Sequence, residues 1–244
     1  MVGVMDKAAR GANFSDTRFS QAAWPLPSDD LVRHFRETGS LEVVNRGANL
    51  RASDRTPFVG LLEAGWVLRE RKLQNGHTGV IGTYVPGDFI DLDCVVEDLP
   101  DDNLYALTDV QIRQIPAQAL KDTIRENGEL ALPVMRRLVA ESDWLREGLA
   151  AVGQLRATQR LIVYLWQTRR RMIAYGLVEA SSQSIPFPLN QVQISRALGV
   201  SVVHTSRTIK ELREVYGIGV RSQRVYFDDP GMIDAEMQTI LMPK

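Results

Sequence analysis

Cysteine is almost missing from this chain. Cys94 is the one thiol in 244 residues, which excludes an internal disulfide and any cysteine cage for zinc or an iron–sulfur cluster within one subunit. No run of apolar residues is long enough to cross a bilayer as a helix. The N-terminus has no basic stretch leading into an apolar core, so no secretory leader is expected and the cytoplasm is the expected compartment. Patterns for catalysis are missing too: no pair of carboxylates, no Ser/His/Asp order and no phosphate-cradling loop invites an enzymatic reading. His34 reads as helix surface, and His77, in an expected hairpin turn, is weighed as a haem ligand and set aside. Cys94 reads as a small buried hydrophobe in preference to an oxidation sensor.

What is present is an ordinary globular composition, 44% apolar and 24% charged, with room for one large or two modest domains. The net charge of −1 hides an asymmetry. From Arg156 to Pro230 there are eleven Lys or Arg against five Asp or Glu, whereas the rest of the chain holds 18 against 25. A basic C-terminal third on an acidic body is the layout of a nucleic-acid reader that carries a separate domain.

Leu189 to Arg213, LNQVQISRALGVSVVHTSRTIKELR, reads as two short helices and a tight turn. Asn190 is placed to cap the first, and Ile194, Ala197 and Leu198 form its apolar face, with Val192 near its start. Gly199 stands where a left-handed residue closes a helix, and Ser201 is placed to cap the second. Thr205, Thr208, Ile209 and Leu212 share one side of that helix. The opposite side carries Val202, Val203, Ser206, Arg207 and Lys210, with His204 at the edge. This is a helix-turn-helix pattern, and αα-corners of the same spacing also occur in proteins that bind no DNA. After it come Ile218-Gly219-Val220, a basic turn Arg221-Ser222-Gln223-Arg224, and Val225-Tyr226-Phe227. Two short strands around a basic turn make a wing, so the last third is expected to be a winged helix-turn-helix that binds DNA.

The remainder is read in order. Residues 1–28 form an arm rich in small and polar residues, with Trp24 placed to dock on the body. A short helix from Asp29 to Thr38 is capped by Ser28 and buries Leu31, Val32 and Phe35. Leu41 to Pro116 alternates short apolar runs with turn signals, among them Asn75-Gly76, which predicts a β-sandwich or barrel with strands at 58–62, 66–68, 79–85 and 110–115. Ala117 to Glu126 is a short helix. A longer one follows from about Glu129 to Ala151, with Pro133 in its first turn and apolar residues enough for a dimer seam beside, or instead of, packing on its own β-domain. Gly153 is the expected break before an amphipathic helix from Arg156 to Tyr175, with Arg169, Arg170 and Arg171 on its far end and Gly176 closing it. Ile185-Pro186-Phe187-Pro188 is an extended lead-in.

In this order the parts resemble the Crp/Fnr family of transcription regulators, over about residues 31 to 230. The segment from Leu62-Glu63-Ala64-Gly65-Trp66 to Pro86-Gly87-Asp88-Phe89 is similar to its effector roll. Ala197 to Thr208 is similar to its recognition segment, especially in FixK-like branches common in alphaproteobacteria. The resemblance implies an α+β fold: a cyclic-nucleotide-binding-like β-roll over 29–127, a dimerisation helix over 128–153, a winged helix-turn-helix over 154–230 and a tail over 231–244. It implies a homodimer on a palindromic operator, with RNA polymerase as a further partner. Arg207 matches the guanine-reading Arg and Ser206 the Ser before it. Where many members carry a Glu this chain has Val203, which cannot accept from cytosine but suits a thymine methyl.

Expected DNA contacts are therefore Ser201, Val202, Val203, His204, Ser206, Arg207, Lys210, Arg221 and Arg224, the last two with Ser201, His204 and Lys210 as phosphate candidates. No metal or catalytic residue is expected. Cyclic-nucleotide control in the usual manner is not expected either. Ile90-Asp91-Leu92-Asp93-Cys94 lacks the family's Gly-Glu, and Asp98 to Asn103 lacks its Arg, leaving acids that would repel a cyclic phosphate. A cyclic-nucleotide-responsive member, a member without an effector, and a ligand-binding module that docks a protein stay open as alternatives.

Overall fold

The computed structural model describes residues 30–51, 56–97 and 102–241. The expected arm with Trp24, the Ser28 cap and the acids at 98–101 lie outside the described residues.

The N-terminal half is a roll of two sheets. Helix α1 (Asp30–Thr38) leads into strands β1 (Ser40–Val44), β2 (Phe58–Ala64), β3 (Val67–Lys72), β4 (Thr78–Tyr84), β5 (Phe89–Ile90), β6 (Asn103–Ala106) and β7 (Val110–Pro116). One sheet has the order β1-β7-β2-β5 and the other β4-β3-β6, all antiparallel. The runs expected at 58–62 and 110–115 fall in strands, those at 66–68 and 79–85 do so except for Trp66 and Val85 at their edges, and Asn75-Gly76 turns the β3–β4 hairpin with Gly76 at φ 81°. Leu62, Val67, Ile90, Leu104, Val110 and Ile112 fill the core between the sheets. A second core lies beneath α1 and α2 (Ala117–Glu126), where Leu31, Phe35, Leu61, Phe89 and Leu120 meet.

Helix α3 (Ala131–Gln154) runs three residues past its expected end. The break expected at Gly153 falls at Leu155 and Arg156, both extended, and Arg156 caps α4 (Ala157–Ala174). Next come β8 (Ser184–Pro186), α5 (Gln191–Leu198), α6 (Val202–Tyr216), β9 (Ile218–Arg221), β10 (Arg224–Phe227) and α7 (Gly231–Leu241). The wing sheet has the order β8-β10-β9. The lead-in around Ile185 is thus a strand of that sheet, paired to Val225. The tail expected at 231–244 is helical to Leu241, because Ile233 and Met237 bury themselves against α4.

The arginines expected to decorate the end of α4 are instead inside. Arg169 and Arg171 are 3% and 4% exposed. Arg169 pairs with Asp234 of α7 at 3.2 Å and lies over the Phe227 ring, Arg170 stacks on Trp166, and Arg171 reaches Asp88 of the roll at 2.8 Å. Two of the eleven basic residues counted toward a DNA-facing surface therefore serve the interior, and a third, Arg170, is half-buried against Trp166. A third core runs without interruption from Trp66, Leu68 and Val85 of the roll through α4 to Ile194, Leu212, Phe227 and Ile233, so the two halves share one packed interior.

Candidate nucleic-acid interface

Helices α5 and α6 form as local chemistry requires. The Asn190 side chain accepts from the Gln193 backbone N–H while the Gln193 side chain accepts from the Asn190 N–H, both at 2.9 Å, a reciprocal cap that satisfies two orphan donors. Gly199 adopts φ 66°, ψ 35°, which reverses the chain at little cost only for glycine. Ser201 Oγ then accepts from the His204 N–H at 3.2 Å and starts α6. Thr205, Thr208 and Leu212 are at most 1% exposed and face inward.

The opposite face of α6 is open. Ser201, Val202, Val203, His204, Ser206, Arg207 and Lys210 are all exposed. Val203, His204 and Arg207 line one shallow depression on this helix, and Ser206, Lys210 and Arg213 line another, between the helix and wing residues Val220 and Arg221. Arg213 pairs with Asp228 at 2.8 Å and ties the wing to α6. Arg221 is exposed, its guanidinium 4.9 Å from the Tyr226 ring centre. Arg224 departs from the expected arrangement: its guanidinium turns into the sheet and donates to Ser184 Oγ at 2.8 Å. Ser222 and Gln223, at φ 50° and 57°, make a tight wing tip from two residues that rarely adopt that conformation.

Two residues of this surface were missed from sequence. Gln191 accepts from Ser206 Oγ at 3.0 Å and bridges the two helices. Its signal was position alone, the first residue of α5. Arg196 of α5 reaches Glu70 of β3 at 3.0 Å and fixes the first helix to the roll, a pairing no local pattern announces.

The acids of the expected effector segment are not bare. Asp91 takes Arg51 in a bidentate pair, and Asp102 takes Arg69 Nε at 2.8 Å and also Arg71. Burial alone would raise the Asp102 carboxyl, but the hydrogen bonds from Arg71 and Arg69 outweigh it and hold it below the usual carboxylate range. Repulsion by unpaired acids, expected from sequence, is therefore replaced by internal neutralisation. Arg69 also donates to Tyr84 Oη at 2.9 Å and faces Glu141 of α3. Beyond it, between Gly82, Trp144 and Arg171, lies a cavity of 30 Å³, room for a very few water molecules. Trp144 is seated directly over Gly82: a Cβ there would lie 2.8 Å from its ring. Cys94 is buried, and burial followed by the nearby Asp91 and Asp93 pushes its thiol up to about 12. That fits the reading of Cys94 as a hydrophobe.

No family model matches the chain. Over 208 residues it is 24% identical to the nitrogen fixation regulation protein FixK of Bradyrhizobium diazoefficiens, covering 84% of each chain. It is 19% identical over 179 residues to an anaerobic regulatory protein of Haemophilus influenzae, covering 73% of this chain and 68% of that one. Among solved structures, FixK2 from Bradyrhizobium japonicum superposes with a TM-score of 0.68 at 16% identity, covering 81% of this chain and 96% of that one. A CRP-family transcriptional regulator from Thermus thermophilus gives 0.60 at 16% identity, covering 82% and 98%. These structural likenesses share the β-roll, long helix and C-terminal helical half described above.

Proposed function

We infer that this chain, a FixK-like transcription regulator of the Crp/Fnr type, binds double-stranded DNA as a homodimer and reads a two-fold symmetric site with one α6 from each copy. It is a regulator and not an enzyme, and it is assigned to the cytoplasm; among the described residues no helix is long and apolar enough to cross a membrane. The observation that carries the reading is the open face of α6, where Arg207 stands exposed between Val203 and Lys210, little more than one turn from the helix start. A guanidinium there offers two donors to guanine O6 and N7. Ser201, His204, Lys210 and Arg221 suit phosphate oxygens on either side.

Pairing of two copies is assigned to α3. One side of that helix packs on the roll through Val134, Arg137 and Ala140. Leu132, Met135, Val139, Leu149 and Val152 remain 45–74% exposed in the single chain, at successive gaps of three, four, ten and three residues. That is a seam for a second copy. It would set the two recognition helices one turn of DNA apart, about 34 Å.

The effector segment is read as closed: arginines from the chain occupy the acids that a ligand would have to displace, and cyclic-nucleotide control in the usual manner is not proposed. RNA polymerase is the further partner expected of such a regulator. Selection of bound duplexes from a random pool, followed by anisotropy titration, tests the whole reading. The expected result is an inverted-repeat motif, loss of about 1–3 kcal/mol for Arg207→Ala confined to one position of the half-site, and affinity that falls steeply with salt. A log affinity indifferent to log salt, or a lone subunit in sedimentation at micromolar concentration, overturns it.

A further inference from the structure

We propose that Val203, with Val202 beside it, reads the 5-methyl group of a pyrimidine in each half-site, so that the protein distinguishes a methylated C5 edge from a bare one. This rests on the assignment of α6 as the helix that enters the major groove.

Val202 and Val203 are the first two residues of α6, and they are 41% and 66% exposed. Branching at Cβ holds each in few rotamers, so together they present a stiff apolar surface at the helix start. Recognition helices lead with that end. Val203 stands one turn before Arg207 and lines the same depression. Four residues of helix span about 6 Å, so a guanidinium on a guanine edge brings Val203 over a neighbouring base pair.

The carboxylate and amide oxygens nearest the valines are already engaged within the protein. The first two turns of α6 contain no Asp or Glu. Gln191 Oε1 already accepts from Ser206. Glu211, the nearest carboxylate along the helix, accepts from Thr158 Oγ1 at 2.7 Å. The surface that Val202 and Val203 themselves present has no acceptor for cytosine N4. Among the groups by which base pairs differ in the major groove, the C5 methyl of thymine is the apolar one. An apolar branch gains only from that group. Valine does not sense whether the adjoining exocyclic atom is O4 or N4, so 5-methylcytosine presents the same target as thymine.

The test uses the full-length protein and the duplex recovered by selection. Each thymine of the half-site is replaced in turn by uracil. At the position opposite the valines, thymine, uracil, 5-methylcytosine and cytosine are then compared, the last two paired with guanine. Thymine and 5-methylcytosine are expected to bind alike, with uracil and cytosine about fourfold weaker per half-site, the share of one buried methyl. The double substitution Val202→Ala, Val203→Ala is expected to bring all four close together. Both side chains are exposed, so folding is not at stake, and thermal unfolding of the variant checks this. Arg207→Ala is expected to lower all four affinities and keep their ratio. If no thymine-to-uracil exchange costs affinity, or the cost persists in the double variant, the methyl assignment is wrong while DNA binding stands. If no duplex is bound at any salt concentration, it is the reading of α6 that fails.

Discussion

Arg171 and Asp88 form an ion pair 2.8 Å long whose side chains are 5% and 2% exposed, joining α4 to the turn that follows β4. Asp88 also accepts from the Val85 N–H at 2.8 Å and from Tyr175 Oη at 3.0 Å, and Arg171 donates a second time to the Thr83 carbonyl at 3.0 Å. Tyr164 Oη meets Thr83 Oγ1 nearby at 3.0 Å. The half of the chain that carries α6 is therefore held to the roll by a buried, hydrogen-bonded ion pair.

Removal of one partner leaves the other charge buried and uncompensated, which costs about 3–5 kcal/mol. Arg171→Ala is expected to destabilise the chain by that order in urea unfolding. It is also expected to open the junction to proteolysis near residues 154–156. A variant as stable as the parent would show that Asp88 finds water or another donor once Arg171 is gone.

Asp102 makes stability depend on pH in a stated direction. Its folded-state carboxyl titrates below its unfolded value, so its contribution is present above the ordinary carboxylate range, near pH 4, and is lost as pH falls through the lowered value. Asp102→Asn is expected to cost roughly 1.5–3 kcal/mol at pH 7, as for hydrogen bonds to charged groups. The gap between parent and variant is expected to close below pH 4. A gap constant from pH 7 to pH 3 would mean that the arginine bonds do not shift this carboxyl.

The two wing arginines are expected to behave differently. Arg221 is exposed, and Arg221→Ala is expected to weaken binding to all sequences alike and to reduce the salt slope by about one. Arg224 is engaged with Ser184, so Arg224→Ala is expected to lower stability by about 1 kcal/mol through the β8–β10 pairing and to change the salt slope little. Matching salt slopes for the two variants would place both guanidinium groups on phosphate.

At the wing tip, Ser222 and Gln223 occupy the left-handed region that two-residue hairpin turns prefer to fill with Asn and Gly. Ser222→Asn with Gln223→Gly is expected to stabilise the protein by roughly 1 kcal/mol, read as a rise in melting temperature. No rise would show that the chain already relieves the strain elsewhere.

What four or five neighbouring residues decide among themselves was legible in the chain. The reciprocal cap of Asn190 and Gln193, the left-handed stop at Gly199, the Ser201 cap, the Asn75-Gly76 turn and the face carrying Val203 and Arg207 all follow from contacts within one or two helical turns. Tertiary structure decided where charge and short elements went. Arg171 reads as helix surface until Asp88, 83 residues earlier, is brought against it, and Asp102 reads as a repelling acid until Arg69 and Arg71 arrive from β3. The strand at Ser184–Pro186 exists because β10 offers an edge, and α7 because α4 offers an apolar groove. Local patterns register backbone geometry, which is set at short range, whereas a charged side chain is buried or exposed according to its partner, and only the folded chain chooses that partner.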